Sequence, residues 1–81
     1  MEIEVIGLEP PCEWCTQLFQ NVGEAVALLK LDATVSKQWT LSQEIREKYG
    51  LLLSPALAID GMVVAQGKVF SVEKLVDLLR G

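Results

Sequence analysis

The sequence predicts an α/β domain: a four-stranded mixed sheet, built in the order β-α-β-α-β-β-α, with helices on both faces. Three observations carry this. A strand pattern, a long helical stripe and a second strand pattern succeed one another within about 40 residues, and such a unit implies a parallel pair and a right-handed crossover. Two apolar runs then flank Asp60-Gly61, the strongest short hairpin signal in the chain. A short amphipathic helix closes the sequence.

Each element has its own cause. Ile3 and Val5 alternate with Glu2 and Glu4, and Ile6 and Leu8 continue the run, so residues 3–8 read as a strand. Gly7 to Pro11 is the connecting loop. From Cys15 the period becomes helical, with Leu18, Val22, Ala25, Val26 and Leu29 on one stripe and Gln17, Gln20, Glu24 and Lys30 off it. Gly23 weakens this helix by about 1 kcal/mol relative to alanine, which suggests close packing there. Ala33 and Val35 alternate with Thr34 and Ser36, giving a second strand over residues 32–37. Thr40-Leu41-Ser42-Gln43 has capping-box spacing and opens a short helix to Tyr49, with Gly50 as its left-handed cap. Residues 51–55 form a loop into Ala56-Leu57-Ala58-Ile59, and Met62-Val63-Val64-Ala65 completes the hairpin. Gln66-Gly67-Lys68 is a turn. Ser71 caps the last helix, with Phe70 and Leu75 as a hydrophobic staple and Val72, Leu75, Val76 and Leu79 as its buried stripe. Gly81 ends it. The chain shows no repeat, linker or low-complexity segment, so residues 1–81 read as a single domain.

Composition narrows the chemistry. Half of the 81 residues are hydrophobic, enough for a compact core. The net charge of −4 argues against nucleic acid or an anionic membrane as partner. Histidine is absent, which removes cysteine–histidine hydrolysis, histidine general-base catalysis and mixed cysteine–histidine zinc sites. With two cysteines, one chain cannot build a four-thiolate metal site. Met1-Glu2-Ile3-Glu4 carries no basic leader, and no apolar run nears the roughly 20 residues that span a bilayer. A cytoplasmic, monomeric protein without cofactor is expected.

Chemistry concentrates in Pro10-Pro11-Cys12-Glu13-Trp14-Cys15, at the seam between the first strand and the first helix. If Cys12 caps or opens the helix, Cys15 lies one turn on, with α-carbons roughly 5 Å apart, inside the window a disulfide accepts. The pair can then switch between dithiol and disulfide with little backbone movement. Unpartnered N–H groups and the helix dipole favour a Cys12 thiolate, the attacking form. Pro11 fixes the approach, whereas the Glu13 carboxylate opposes the thiolate. Cys15, deeper in the turn, should be less exposed and hold its proton longer.

Taken together, Cys12-x-x-Cys15 after the first strand, Tyr49-Gly50, Ser54-Pro55-Ala56-Leu57, Ile59-Asp60-Gly61 and Gly67 to Ser71 resemble the thioredoxin superfamily in its small, glutaredoxin-sized form. Within it the chain looks most like the small redox-active disulfide proteins, or thioredoxin-like family 3. The resemblance covers almost all 81 residues. It implies a thioredoxin-like fold and a protein dithiol–disulfide oxidoreductase, with Cys12 attacking and Cys15 resolving. It implies two partners, a disulfide-containing client protein and a disulfide reductase. From sequence alone about one X–Pro bond in twenty is cis; the resemblance implies that Pro55 is cis and packs against the cysteine pair. The Ser54 backbone would then bind substrate as an added strand.

The chain also departs from the family pattern. Thioredoxins usually place Gly-Pro between the cysteines and a tryptophan before the first; here Glu13 and Trp14 lie inside and Pro11 precedes. Trp14 is either a partner contact or a ring covering the loop. The buried acid that assists the resolving cysteine in thioredoxins has no clear counterpart, and no glutathione-site glycines are found. Gly67 lies where related folds bring backbone near the active site, although a turn alone explains it. Asp60 belongs to its turn and Trp39 to core or rim. A reducing potential is expected, nearer the about −270 mV of thioredoxin than that of strong oxidants. The alternative function is a soft-metal or metalloid thiolate-binding module, since two thiolates suit Cu(I) or arsenic-like thiophiles. An interaction module with little catalysis is a third.

Overall fold

The computed structural model describes residues 1–8 and 13–80. Its elements are β1 (Glu2–Gly7), α1 (Glu13–Leu29), β2 (Thr34–Trp39), α2 (Gln43–Tyr49), β3 (Ala56–Ile59), β4 (Met62–Gln66) and α3 (Val72–Arg80). The sheet order is β2-β1-β3-β4. β1 runs parallel to β2, with Glu2 opposite Thr34 and Gly7 opposite Trp39. It runs antiparallel to β3, with Ile3 opposite Ile59 and Ile6 opposite Ala56. The expected mixed sheet is therefore present.

Strand alternation sends side chains to opposite faces. Ile3, Val5 and Leu57 pack with Leu18, Val22 and Ala25 of α1 and Leu75 and Leu79 of α3. On the other face, Ile6, Ala56 and Ala58 pack with Ile45 of α2. Full burial of each such aliphatic side chain stabilises the fold by roughly 1.5–3 kcal/mol. Helices thus cover both faces, as the sequence predicts.

Several local readings need correction. β1 ends at Gly7, leaving Leu8 exposed beyond it, and β2 begins two residues later than expected. Gly23 packs against nothing: it is exposed, with open space where a Cβ would stand, so no close approach explains it. Thr40 is not the cap of α2. That role falls to Ser42, whose Oγ accepts from the Ile45 N–H at 3.2 Å. Thr40 is buried instead, its N–H donating to Gly7 O at 2.9 Å and its hydroxyl to Leu52 O at 3.3 Å. Burial of the β2–α2 corner thus outweighs the capping-box spacing.

The glycine end of α2 holds, but not its left-handed form: Gly50 lies at φ 80°, ψ −158°, outside the left-handed helical region and in a conformation essentially reserved for glycine, and its N–H donates to Arg46 O at 2.9 Å. The other turn readings hold. Asp60 and Gly61 both have positive φ, as a two-residue hairpin turn demands. Asp60 also ties the hairpin to β1: its Oδ1 accepts from the Glu2 N–H and its own N–H donates to Glu2 O, both at 2.8 Å. Ser71 Oγ accepts from the Lys74 N–H at 3.2 Å, capping α3. The expected end at Gly81 lies outside the described residues.

Candidate functional site

β1 and β2 end side by side, β3 starts and β4 finishes at that same end, and α1 begins there. Residues distant in sequence meet around this edge. Cys12 and the preceding Pro11 lie outside the described residues. Cys15 is the third residue of α1 and only 5% exposed, consistent with the expectation for the second cysteine.

Cys15 is packed directly against the end of β1. A Cβ on Gly7 would stand 2.7 Å from Cys15 Sγ and 2.9 Å from its Cβ. No side chain fits in that gap, so the glycine is a condition for seating the sulfur. The sequence pattern assigns Gly7 to the loop. The usable signal was a glycine closing a strand pattern, which often marks close backbone approach.

The β1–β3 register then carries the site to the proline. Ile6 faces Ala56, so Pro55 lies beside Gly7. Pro55 is fully buried and the Ser54–Pro55 peptide bond is cis. Ser54 is half-buried. Pro55 O accepts from the Gly67 N–H at 2.8 Å, and Gln66 Oε1 accepts from the Leu53 N–H at 3.0 Å. These bonds clamp the 53–55 segment to the end of β4. Gly67, at φ 66°, lies against the Leu53 side chain. Trp14 is 65% exposed and shares a largely apolar groove with Gln17, Gly67 and Val69. Trp14, Ser54, Pro55 and Cys15 are therefore arranged around one end of the sheet, linked through Gly67 and Gly7.

A second cleft of about 200 Å³ opens on the α1 side of the β1–β2 pair. Cys15, Gly7 and Leu8 line it together with Lys37 and Trp39. The register explains the last two: Lys37 faces Val5 and Trp39 faces Gly7, and both share the strand face of Val35. Trp39, 42% exposed, belongs to the rim. Lys37 reaches over the Phe19 ring, its Nζ 4.8 Å from the centroid. Phe19 stands one helical turn after Cys15 on α1. Sequence reasoning placed Lys37 in a strand without assigning it a role. Its position in the apolar register of β2 was the available signal.

Among the described residues no group of three or more metal-ligating side chains is assembled. No described helix is long and apolar enough to cross a membrane.

A mixed sheet in this order, with a buried cysteine at the first helix and a cis-proline opening the third strand, defines a thioredoxin-like domain. Residues 1–80 match the family model for the thioredoxin domain, and the chain belongs to the thioredoxin superfamily. It is similar to a thioredoxin of Methanocaldococcus jannaschii, at 35% identity over 69 residues, covering 85% of this chain and 77% of that one. It is also similar to a thioredoxin of Methanothermobacter thermautotrophicus, at 34% identity over 79 residues, covering 98% and 97%. No solved structure gives a significant match. Family membership supports a general role of the thiol–disulfide oxidoreductase type.

Proposed function

We propose that this chain is a small dithiol–disulfide oxidoreductase that reduces protein disulfides through Cys12 and Cys15. The observation that carries this reading is Cys15, buried in the first turn of α1 and seated against the bare backbone of Gly7. A sulfur held there lies at the end of the sheet where an extended client can arrive. Cys12 stands three residues earlier in the sequence, the spacing a reversible bridge requires.

The reaction balances in two exchanges. The Cys12 thiolate attacks one sulfur of a client disulfide. A Cys12–client bond forms, the client disulfide breaks, and its other sulfur leaves as a thiolate that takes a proton from water. Cys15 then releases its proton and attacks Cys12. The Cys12–Cys15 bond forms, the mixed disulfide breaks, and the client departs with its second thiol. Two electrons have passed to the client, and a disulfide reductase supplies two more to regenerate the dithiol.

Other residues in this reading hold the client. The Ser54 backbone pairs with it as an added strand, next to Pro55, and Trp14 offers an apolar contact. The exposed Leu8 and Leu53 extend that surface. Insulin reduction coupled to a dithiol reductant tests the proposal. Wild-type protein is expected to turn over and Cys12→Ser to be inactive. Equal turnover in both, or stoichiometric soft metal with no turnover, would overturn it.

A further inference from the structure

We propose that Gln66 is a positioning residue for client binding: its side-chain amide holds the Leu52–Leu53 peptide, so that the next residue, Ser54, presents its backbone to the client strand. This deepens the function proposed above and rests on it. A client added as a strand is held by main-chain hydrogen bonds, so the backbone that receives it must stand at a fixed height and tilt. Ser54 precedes β3, and no strand ladder fixes it. Among the described residues no hydrogen bond engages its N–H or its C=O. Its orientation comes from the peptide just before it.

That peptide is gripped at both edges by side chains. Leu53 N–H donates to Gln66 Oε1 at 3.0 Å, and Leu52 O accepts from the Thr40 hydroxyl at 3.3 Å. A peptide unit is one rigid plane, so bonds to its N–H and its C=O together fix its tilt. The two jaws come from different parts of the sheet. Thr40 is buried just beyond the end of β2. Its N–H donates at 2.9 Å to the carbonyl of Gly7, the residue against which Cys15 is seated. Gln66 is the last residue of β4, opposite Ala56. The strand stops there, and the Gln66 side chain continues the pairing as far as Leu53. The clamp therefore relates Ser54 to the sulfur on one side and to the hairpin on the other. The Leu53 side chain is 69% exposed, so its packing does little to hold the segment. A backbone ordered before the client arrives lowers the entropy lost on binding.

Gln66 is exposed, so its replacement leaves the core intact. Gln66→Met keeps the length of the side chain and removes the acceptor, whereas Gln66→Glu keeps the acceptor. In insulin reduction, Gln66→Met is expected to raise KM roughly two- to tenfold, the worth of one such hydrogen bond. The rate on a small aromatic disulfide, which has no backbone to pair, should move by less. Gln66→Glu should restore KM. By nuclear magnetic resonance, solvent exchange of the Leu53 N–H should speed up in Gln66→Met and slow again in Gln66→Glu. An unchanged KM in Gln66→Met, an equal loss on both disulfides, a Gln66→Glu variant no better than Gln66→Met, or an unchanged Leu53 exchange rate would overturn the proposal. Failure of the redox function is distinguishable: wild-type protein would then reduce neither disulfide, while the exchange rates still decide whether Gln66 holds the peptide.

Discussion

Gly7 shows how much one missing side chain can decide. Its Cα stands where any Cβ would press on Cys15 within 2.7 Å of the sulfur. Sulfur and strand cannot both stay in place if that gap is filled. Gly7→Ala is therefore expected to lower stability by about 1–3 kcal/mol, the usual cost of overpacking. It should also reduce disulfide turnover, because the displaced atom is the sulfur to which the proposed function gives the resolving step. Denaturant unfolding and insulin reduction check the two effects. Unchanged values in both assays would mean that Cys15 has room to yield.

At the scale of elements, the end of α1 was the least legible. Helices commonly stop at a glycine in the left-handed conformation, and this one stops at Lys30, φ 52°. Lys30 N–H donates to Ala27 O at 3.2 Å and Leu31 N–H to Val26 O at 3.1 Å, a Schellman pair. Val26 and Leu31 both pack against the core and supply the hydrophobic contact of that motif. The turn is thus held by the docking of Leu31 beyond the helix end, at a backbone cost of about 1 kcal/mol for a side chain in this region. Lys30→Gly is expected to raise the unfolding free energy by about that amount, measured by urea titration; a loss of stability would count against the account. The hairpin was legible because Asp60-Gly61 permits positive φ at both positions. Its irregularity was not. Ala58 faces Val63 while Leu57 faces Ala65, so Val64 is the extra residue of a bulge, set by pairing across strands rather than by local preference.

Over the whole molecule, two cores share one sheet, and the thinner one depends on α2. Beyond Ile45, that helix is anchored by Tyr49, whose hydroxyl donates to Glu4 Oε1, and by Lys48, whose Nζ lies 3.2 Å from the same oxygen. Burial first, and then the bond to Glu4, push the Tyr49 phenol above its usual value of about 10. The Lys48 ammonium is also raised, chiefly by its bond to Glu4. Above the unfolded tyrosine value, the unfolded chain gives up the phenolic proton while the folded chain keeps it. Stability from this group is therefore complete below about pH 10 and falls as pH rises through the folded value. Tyr49→Phe is expected to flatten the alkaline loss of stability in thermal melts, leaving the smaller part due to Lys48. An identical alkaline slope in the variant would exclude Tyr49 as its source.

The sequence by itself determined the elements, the mixed sheet and the thiol spacing. Those properties depend on local periodicity, turn chemistry and short-range helix geometry, all written in consecutive residues. Only the tertiary structure decided that Gly7 seats Cys15, that Lys37 shares its cleft, and that Thr40 is buried while Ser42 caps. Each of these depends on strand register, which brings together residues far apart in the chain and sets close packing that no local pattern encodes.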